Sequence, residues 1–238
     1  MRNSGFIVIA IFSLVLAAPA RGGEFVAPKA DHAIVSPEPV VLHDAARGKD
    51  LGVHVNYPAG DGGPWPLVIL SHGAGGSGRG VGPLTRYWAS RGYVCLAPTH
   101  EDSLSLRKDG DSPKLFSADG VVSRALDVRF LIDALPQLVK DLPGLEGRID
   151  REHIGMGGHS YGAFTTMVIG GATLKRPDGL VSYADERADA LLVLSGQGPG
   201  RGGLHERSWE DLPRPMLSMT GSLDKGMGGE DPDWRKRN

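Results

Sequence analysis

His153-Ile154-Gly155-Met156-Gly157-Gly158-His159-Ser160-Tyr161-Gly162-Ala163 runs from a short apolar strand straight into a helix, with a serine at the junction. Gly158–Gly162 matches G-x-S-x-G. Its context matters more than the five letters, because a serine on a sharp strand-to-helix turn sits on strained backbone. Small residues must flank it so that strand and helix can approach, and Gly157, Gly158, Gly162 and Ala163 supply them. The helix that follows aims its first N–H groups at the serine. The segment therefore predicts an activated nucleophile at Ser160, with the N–H of Tyr161 as one donor to a developing oxyanion.

Working upstream, Leu67-Val68-Ile69-Leu70 is a continuous apolar run, as in strands covered on both faces. It ends in Ser71-His72-Gly73-Ala74-Gly75-Gly76-Ser77. The loop after an earlier strand carries the second oxyanion donor in this arrangement, and the N–H of Ala74 takes that place. The segment Gly73–Gly78 also spells G-x-G-x-x-G, the dinucleotide fingerprint. The expected helix begins only near Pro83, however, and that alternative leaves the Ser160 turn without a purpose. His72 and His159 lie inside the two motifs, and His100 follows the strand Tyr93–Ala97; these three are candidate pocket residues.

The remaining pattern is of alternating strands and helices. Val53–Tyr57, Leu191–Leu194 and Met216–Met219 read as strands, and Pro83–Arg91 reads as a helix. Val121, Ala125, Val128, Ile132 and Leu135 form a helical stripe that Pro136 ends or kinks. Residues 101–119 read as a surface loop, and 174–187 as a long connection without pattern. Such alternation implies a mainly parallel sheet flanked by helices, with the site on loops at the carboxyl ends of the strands.

A serine nucleophile needs a base and an acid. In chain order the acid follows a late strand, and the turn after Met216–Met219 delivers Asp224. Asp211 and Asp231 are less clearly tied to a strand end. No histidine follows Asp224 among the eight in the chain. As a base His100 would break that chain order, and His205 lies in a Gly-rich loop. Asp233–Asn238 reads as the start of a helix, so the expectation is that a last strand and helix, with the base, lie beyond Asn238.

At the other end, Met1-Arg2, the apolar run Phe6–Ala17 and Ala18-Pro19-Ala20 have the layout of a secretory signal peptide. The run is shorter than the roughly 20 residues that span a bilayer, so no stable membrane span is expected after cleavage. The organisation predicted is a signal peptide over 1–20, an extended lead-in over 21–49 and one domain over 50–238, exported to the periplasm or secreted. Cys95 is the sole cysteine and reads as a small buried hydrophobe, so no disulfide staples the domain. With a net charge of −2 there is no basic field for nucleic acid. Oligomeric state is not legible.

Ser71–Ser77, Arg124-Ala125-Leu126-Asp127-Val128, Arg148-Ile149-Asp150, Gly158–Gly162 and Met219-Thr220-Gly221 together resemble the dienelactone-hydrolase-like branch of the α/β hydrolases. That branch lies near platelet-activating-factor acetylhydrolases, chlorophyllases and bacterial polyester hydrolases. The resemblance covers roughly residues 50 to 234. It implies the α/β-hydrolase fold, a small-molecule or polymeric carboxylic ester as substrate, an acyl-enzyme on Ser160 and no cofactor. Dienelactone hydrolases proper use cysteine where this chain has Ser160. The acid of the acetylhydrolases follows an earlier strand, where this chain has Ser195-Gly196-Gln197-Gly198 and no carboxylate. A secreted, non-catalytic binding protein of the same fold is the alternative.

Overall fold

The computed structural model describes residues 32–107 and 117–237, so the expected signal peptide lies outside the described residues. Ten strands and four α-helices follow in chain order among them. The strands are β1 Ile34–Val35, β2 Val40–Asp44, β3 Lys49–Pro58, β4 Trp65–Ser71, β5 Val94–Thr99, β6 Ile149–His159, β7 Leu174–Arg176, β8 Gly179–Val181, β9 Ala188–Leu194 and β10 Met216–Met219. The helices are α1 Gly82–Ala89, α2 Ala118–Asp133, α3 Leu135–Asp141 and α4 Tyr161–Gly170. Eight strands make one sheet in the order β1-β3-β5-β4-β6-β9-β10, with β2 also paired to β3. From β5 to β10 every pair is parallel, while β3 joins β5 antiparallel.

The continuous apolar runs foretold central strands, and the reason is visible in burial. Leu67, Ile69, Val94, Leu96, Leu191 and Val193 are buried, because helices cover the sheet. A Cβ on Gly170 of α4 would press on Leu191, whereas α1 residues Pro83 and Leu84 share a cleft with Leu70 and Leu194. Side chains alternate along a strand, so α1 and α4 lie on opposite faces of β9 and its neighbours. The stripe Val121, Ala125, Val128, Ile132 and Leu135 is buried as its spacing predicts. Pro136 falls in the first turn of α3, where its missing N–H costs nothing, and Ala134 separates the two helices.

Two segments differ from expectation. Residues 34–49, read as extended lead-in, form β1, β2 and the start of β3. The patternless stretch after Leu174 contains the hairpin β7–β8, in which Arg176 pairs with Gly179. Its signal was Asp178-Gly179 after Pro177, turn chemistry in which Gly179 takes φ 133°.

The connection from β4 leads to β5 on one side and, after β5, the chain returns past β4 to β6 on the other. In an open α/β sheet such a reversal opens a crevice at the carboxyl ends of the two central strands. Here those ends are Ser71 and His159, with Ser71 in register with Gly158.

Candidate active site

Ser160 occupies the turn between β6 and α4 with φ 54° and ψ −111°, a conformation that a non-glycine residue rarely adopts. It is half-buried, its N–H donates to the Leu194 carbonyl at 2.9 Å, and its own carbonyl accepts from Phe164 at 3.0 Å. The glycines around it have no room for a side chain. A Cβ on Gly158 would lie 2.3 Å from the Gly162 backbone, and one on Gly162 would lie 2.0 Å from the Ser71 carbonyl oxygen. Strand, turn and helix thus pack backbone against backbone at the strained Ser160.

The loop after β4 lies against the turn. A Cβ built on Gly73 would be 3.7 Å from the Cβ of Ser160 and 3.3 Å from Nδ1 of His159. Among the described residues the Ala74 N–H has no acceptor. Tyr161 is the first residue of α4, so its N–H heads the helix. The structure thus brings Ala74, Ser160 and Tyr161 to one place, where the helix end and the loop N–H groups favour negative charge.

Beneath this loop is a buried polar cluster. Arg124 is 1% exposed and donates from Nε and Nη2 to the two carboxylate oxygens of Asp102, each at 2.9 Å. The same guanidinium donates from Nη1 to the His72 carbonyl at 2.8 Å and from Nη2 to the Gly73 carbonyl at 3.3 Å. It also lies over the Tyr161 ring, 4.1 Å from its centroid. Asp102 accepts the Gly75 N–H at 3.1 Å. Burial raises the Asp102 carboxyl, but its bonds to Arg124 and Gly75 outweigh that and hold it below the usual carboxylate range.

His72 and His100 are 1% and 0% exposed, so they sit under the loop and do not line the cleft. His72 Nε2 accepts the His100 N–H at 3.0 Å, which leaves the ring proton on Nδ1 to donate to the Gly73 carbonyl at 2.7 Å. Burial, with the neighbouring His100 ring and the Arg124 charge, lowers His72 to about 3. His100 Nδ1 bonds Asp127 at 2.8 Å and its Nε2 bonds Ser71 Oγ at 2.8 Å. Ser71, His100 and Asp127 are therefore linked in the order of a catalytic triad, yet none of the three has any solvent face. Asp127 is further bonded by Lys49 and Arg47. Despite burial, which raises it, the His100 and Lys49 contacts bring the Asp127 carboxyl down to about 2.

Asp224 follows β10, two strands from Ser160, with His159, Leu194 and Met219 level across β6, β9 and β10. Its carboxylate accepts Thr220 Oγ1 at 3.0 Å and faces Arg235 Nε at 3.3 Å. Burial acts to raise it, but bonds from Ser195 and Thr220 and the Arg235 charge leave it lowered. Arg235 is buried and donates to the carbonyls of Ser195, Gly196, Asp224 and Lys225. Among the described residues no imidazole is hydrogen-bonded to Ser160 Oγ or to Asp224. His159 is exposed and borders a cleft of about 140 Å³ with Leu70, Val81, Pro83, Leu84 and Leu194. His205 is bonded to Thr173 at 3.2 Å. Cys95 is buried in β5, and burial pushes its thiol well above the usual range, which makes it a poor nucleophile. Among the described residues no group of three or more His, Cys, Asp or Glu could hold a metal ion.

Reading the sequence missed the Arg124–Asp102 pair and the Ser71–His100–Asp127 chain. A signal was present. Arg124 and Asp127 each stand one residue before a member of the apolar stripe, so both fall on the buried face of α2, and buried charges require partners.

Neither a family model nor a curated protein matches the chain. Solved structures do. A ferulic acid esterase from Streptomyces cinnamoneus superimposes with a TM-score of 0.58 at 23% identity, over 84% of this chain and 76% of that one. A protein assigned as a dienelactone hydrolase, from Klebsiella pneumoniae, gives a TM-score of 0.61 at 16% identity, over 86% and 78%. With this sheet order, the serine on its strand-to-helix turn and these structural neighbours, the chain has the α/β-hydrolase fold and is similar to its dienelactone-hydrolase-like members.

Proposed function

We propose that the chain is a serine hydrolase that cleaves carboxylic esters through an acyl-enzyme on Ser160, and that residues 1–20 direct its export. The observation that carries this reading is the strained Ser160, φ 54°, beside two loop and helix N–H groups at the carboxyl ends of β4 and β6. Strain of this kind costs about 1–3 kcal/mol and persists where a site requires it. The names of the two structural neighbours, an esterase and a dienelactone hydrolase, agree with ester chemistry.

In the first step Ser160 Oγ forms a bond to the ester carbonyl carbon while its proton passes to a base. The negative charge gathers on the carbonyl oxygen, facing the Ala74 and Tyr161 N–H groups. Each such donor contributes about 3 kcal/mol to an acyl-transfer barrier. The bond to the leaving oxygen then breaks, and that oxygen takes the proton from the base. Water repeats the sequence to release the acid and restore Ser160. Asp224 is assigned to hold the cationic base, a role its lowered pKa suits. No cofactor enters these steps. The substrate is a small or polymeric ester. Nucleic acid is an unsuitable partner for a net charge of −2. No described helix is long and apolar enough to cross a membrane.

A second reading has its own observation. Asp224 is engaged by Thr220 and Arg235, and no described imidazole is hydrogen-bonded to Ser160 Oγ. A chain with that site would bind a ligand without turning it over. Reaction of the purified protein with a fluorophosphonate probe separates the two. Covalent labelling that Ser160→Ala abolishes is the expected result; absence of labelling overturns the hydrolase in favour of the binder.

A further inference from the structure

Arg124 lies wholly inside the protein, yet its contacts converge on the two residues that would hold an oxyanion. A trans peptide unit points its C=O and its N–H in opposite directions. The Gly73 carbonyl accepts three donors from below: the Gly76 N–H at 3.0 Å, His72 Nδ1 at 2.7 Å and Arg124 Nη2 at 3.3 Å. With that oxygen turned inward, the N–H on the other side of the same peptide unit, Ala74's, must point outward, and it has no acceptor among the described residues. The Tyr161 ring lies against the same guanidinium, its centroid 4.1 Å from the Arg124 Cζ. The Gly75 N–H is held by Asp102 Oδ2, the oxygen that also accepts Arg124 Nη2.

We propose that Arg124, locked by Asp102, is a positioning residue that sets the Gly73–Ala74 peptide and Tyr161 together, so that their N–H groups form one anion-binding pair. This rests on the ester-hydrolase reading of Ser160. The ordinary alternative is that a buried ion pair merely supports the fold. Three features favour positioning. The guanidinium spends two of its bonds on carbonyls of the loop after β4 and none on a helix or sheet ladder. A planar fork spans Asp102 and two carbonyls at fixed angles, which the point charge of a lysine does not. The pair also joins the loops after β4 and β5 to α2, so that it ties the Gly73 carbonyl to a helix remote in sequence.

The test uses the full chain, a fluorophosphonate probe and p-nitrophenyl butyrate, with the variants Arg124→Lys and Asp102→Asn. Asp102→Asn retains nearly the same shape and removes the charge that aims Arg124. The expected result is that both variants, folded by circular dichroism, keep KM within about threefold while kcat and the rate of Ser160 labelling fall about 10- to 100-fold, somewhat less than the loss of a whole oxyanion donor. Folded variants that label and turn over at the wild-type rate would overturn the proposal. So would equal losses in KM and kcat, or the failure of both variants to fold, since either assigns the pair to general support. If the unaltered protein itself does not label, it is the hydrolase reading that fails, and the two failures are thereby distinct.

Discussion

Gly162 and the carbonyl oxygen of Ser71 approach so closely that a Cβ on the glycine would sit 2.0 Å from that oxygen, inside any allowed contact. Its next neighbours would be the Ser71 carbon at 2.5 Å and the His72 oxygen at 2.8 Å, all backbone atoms that no rotamer change can move. The first turn of α4 is thus seated directly on the end of β4, which is how two motifs about ninety residues apart come to share one site.

Gly162→Ala is expected to lower stability by about 3 kcal/mol, the upper end of ordinary overpacking, because backbone must move. Urea unfolding should show a lower midpoint at unchanged slope. The same shift displaces Tyr161 and should abolish fluorophosphonate labelling of Ser160. A midpoint within error of the unaltered protein would contradict the backbone contact.

The strain at Ser160 makes an opposite prediction. Glycine accepts φ 54° and ψ −111° far more readily than serine, so Ser160→Gly should raise stability by about 1 kcal/mol while removing the nucleophile. Ser160→Ala keeps a Cβ and should leave stability nearly unchanged. Denaturant midpoints of the two variants, measured together, check the difference.

Acid should act on the buried cluster in two stages. His72, lowered from 6.5 to about 3, and His100, also lowered, are neutral in the fold. Below pH 6.5 the unfolded chain binds protons that the native chain refuses, so stability is full above 6.5 and falls as pH drops, by up to about 1.4 kcal/mol per pH unit for each imidazole. Asp127, at about 2 against 3.8, stabilises above pH 3.8 and loses about 2 kcal/mol as pH falls through 2. Thermal melts should therefore stay nearly level from pH 7.5 to about 6.5 and decline from there to pH 5. A flat profile there would be inconsistent with two buried neutral histidines.

Arg235 ties the loops after β9 and β10 through four carbonyls. Arg235→Ala leaves those acceptors without their donor and should destabilise the protein by about 3 kcal/mol. Limited proteolysis should then cut between Ser195 and Gly229 sooner than in the unaltered chain, and the region holding Asp224 should be among the first to be cleaved. Unchanged cleavage would remove Arg235 from this role.

Much of this was written in local pattern. The apolar runs of β4, β5 and β9, the stripe of α2 and the glycines around Ser160 specify strands, a helix and a tight turn through burial and sterics that act over a few residues. Local pattern therefore also placed Ala74, Ser160, Tyr161 and Asp224 at strand ends. It did not show β2, a strand whose exposed Val41 and His43 alternate with buried Leu42 and Asp44, because a polar residue at a buried position hides the alternation.

The tertiary structure alone decided what each polar group meets. His72 and His100 were candidates for the pocket wall, and their place under the loop depends on Asp127 and Arg124 arriving from α2. Whether a charge is buried and paired depends on partners more than twenty residues away, and sequence spacing carries no measure of that distance. The nucleophile's turn is local chemistry; the direction of the Ala74 N–H is set by a guanidinium fifty residues further along the chain.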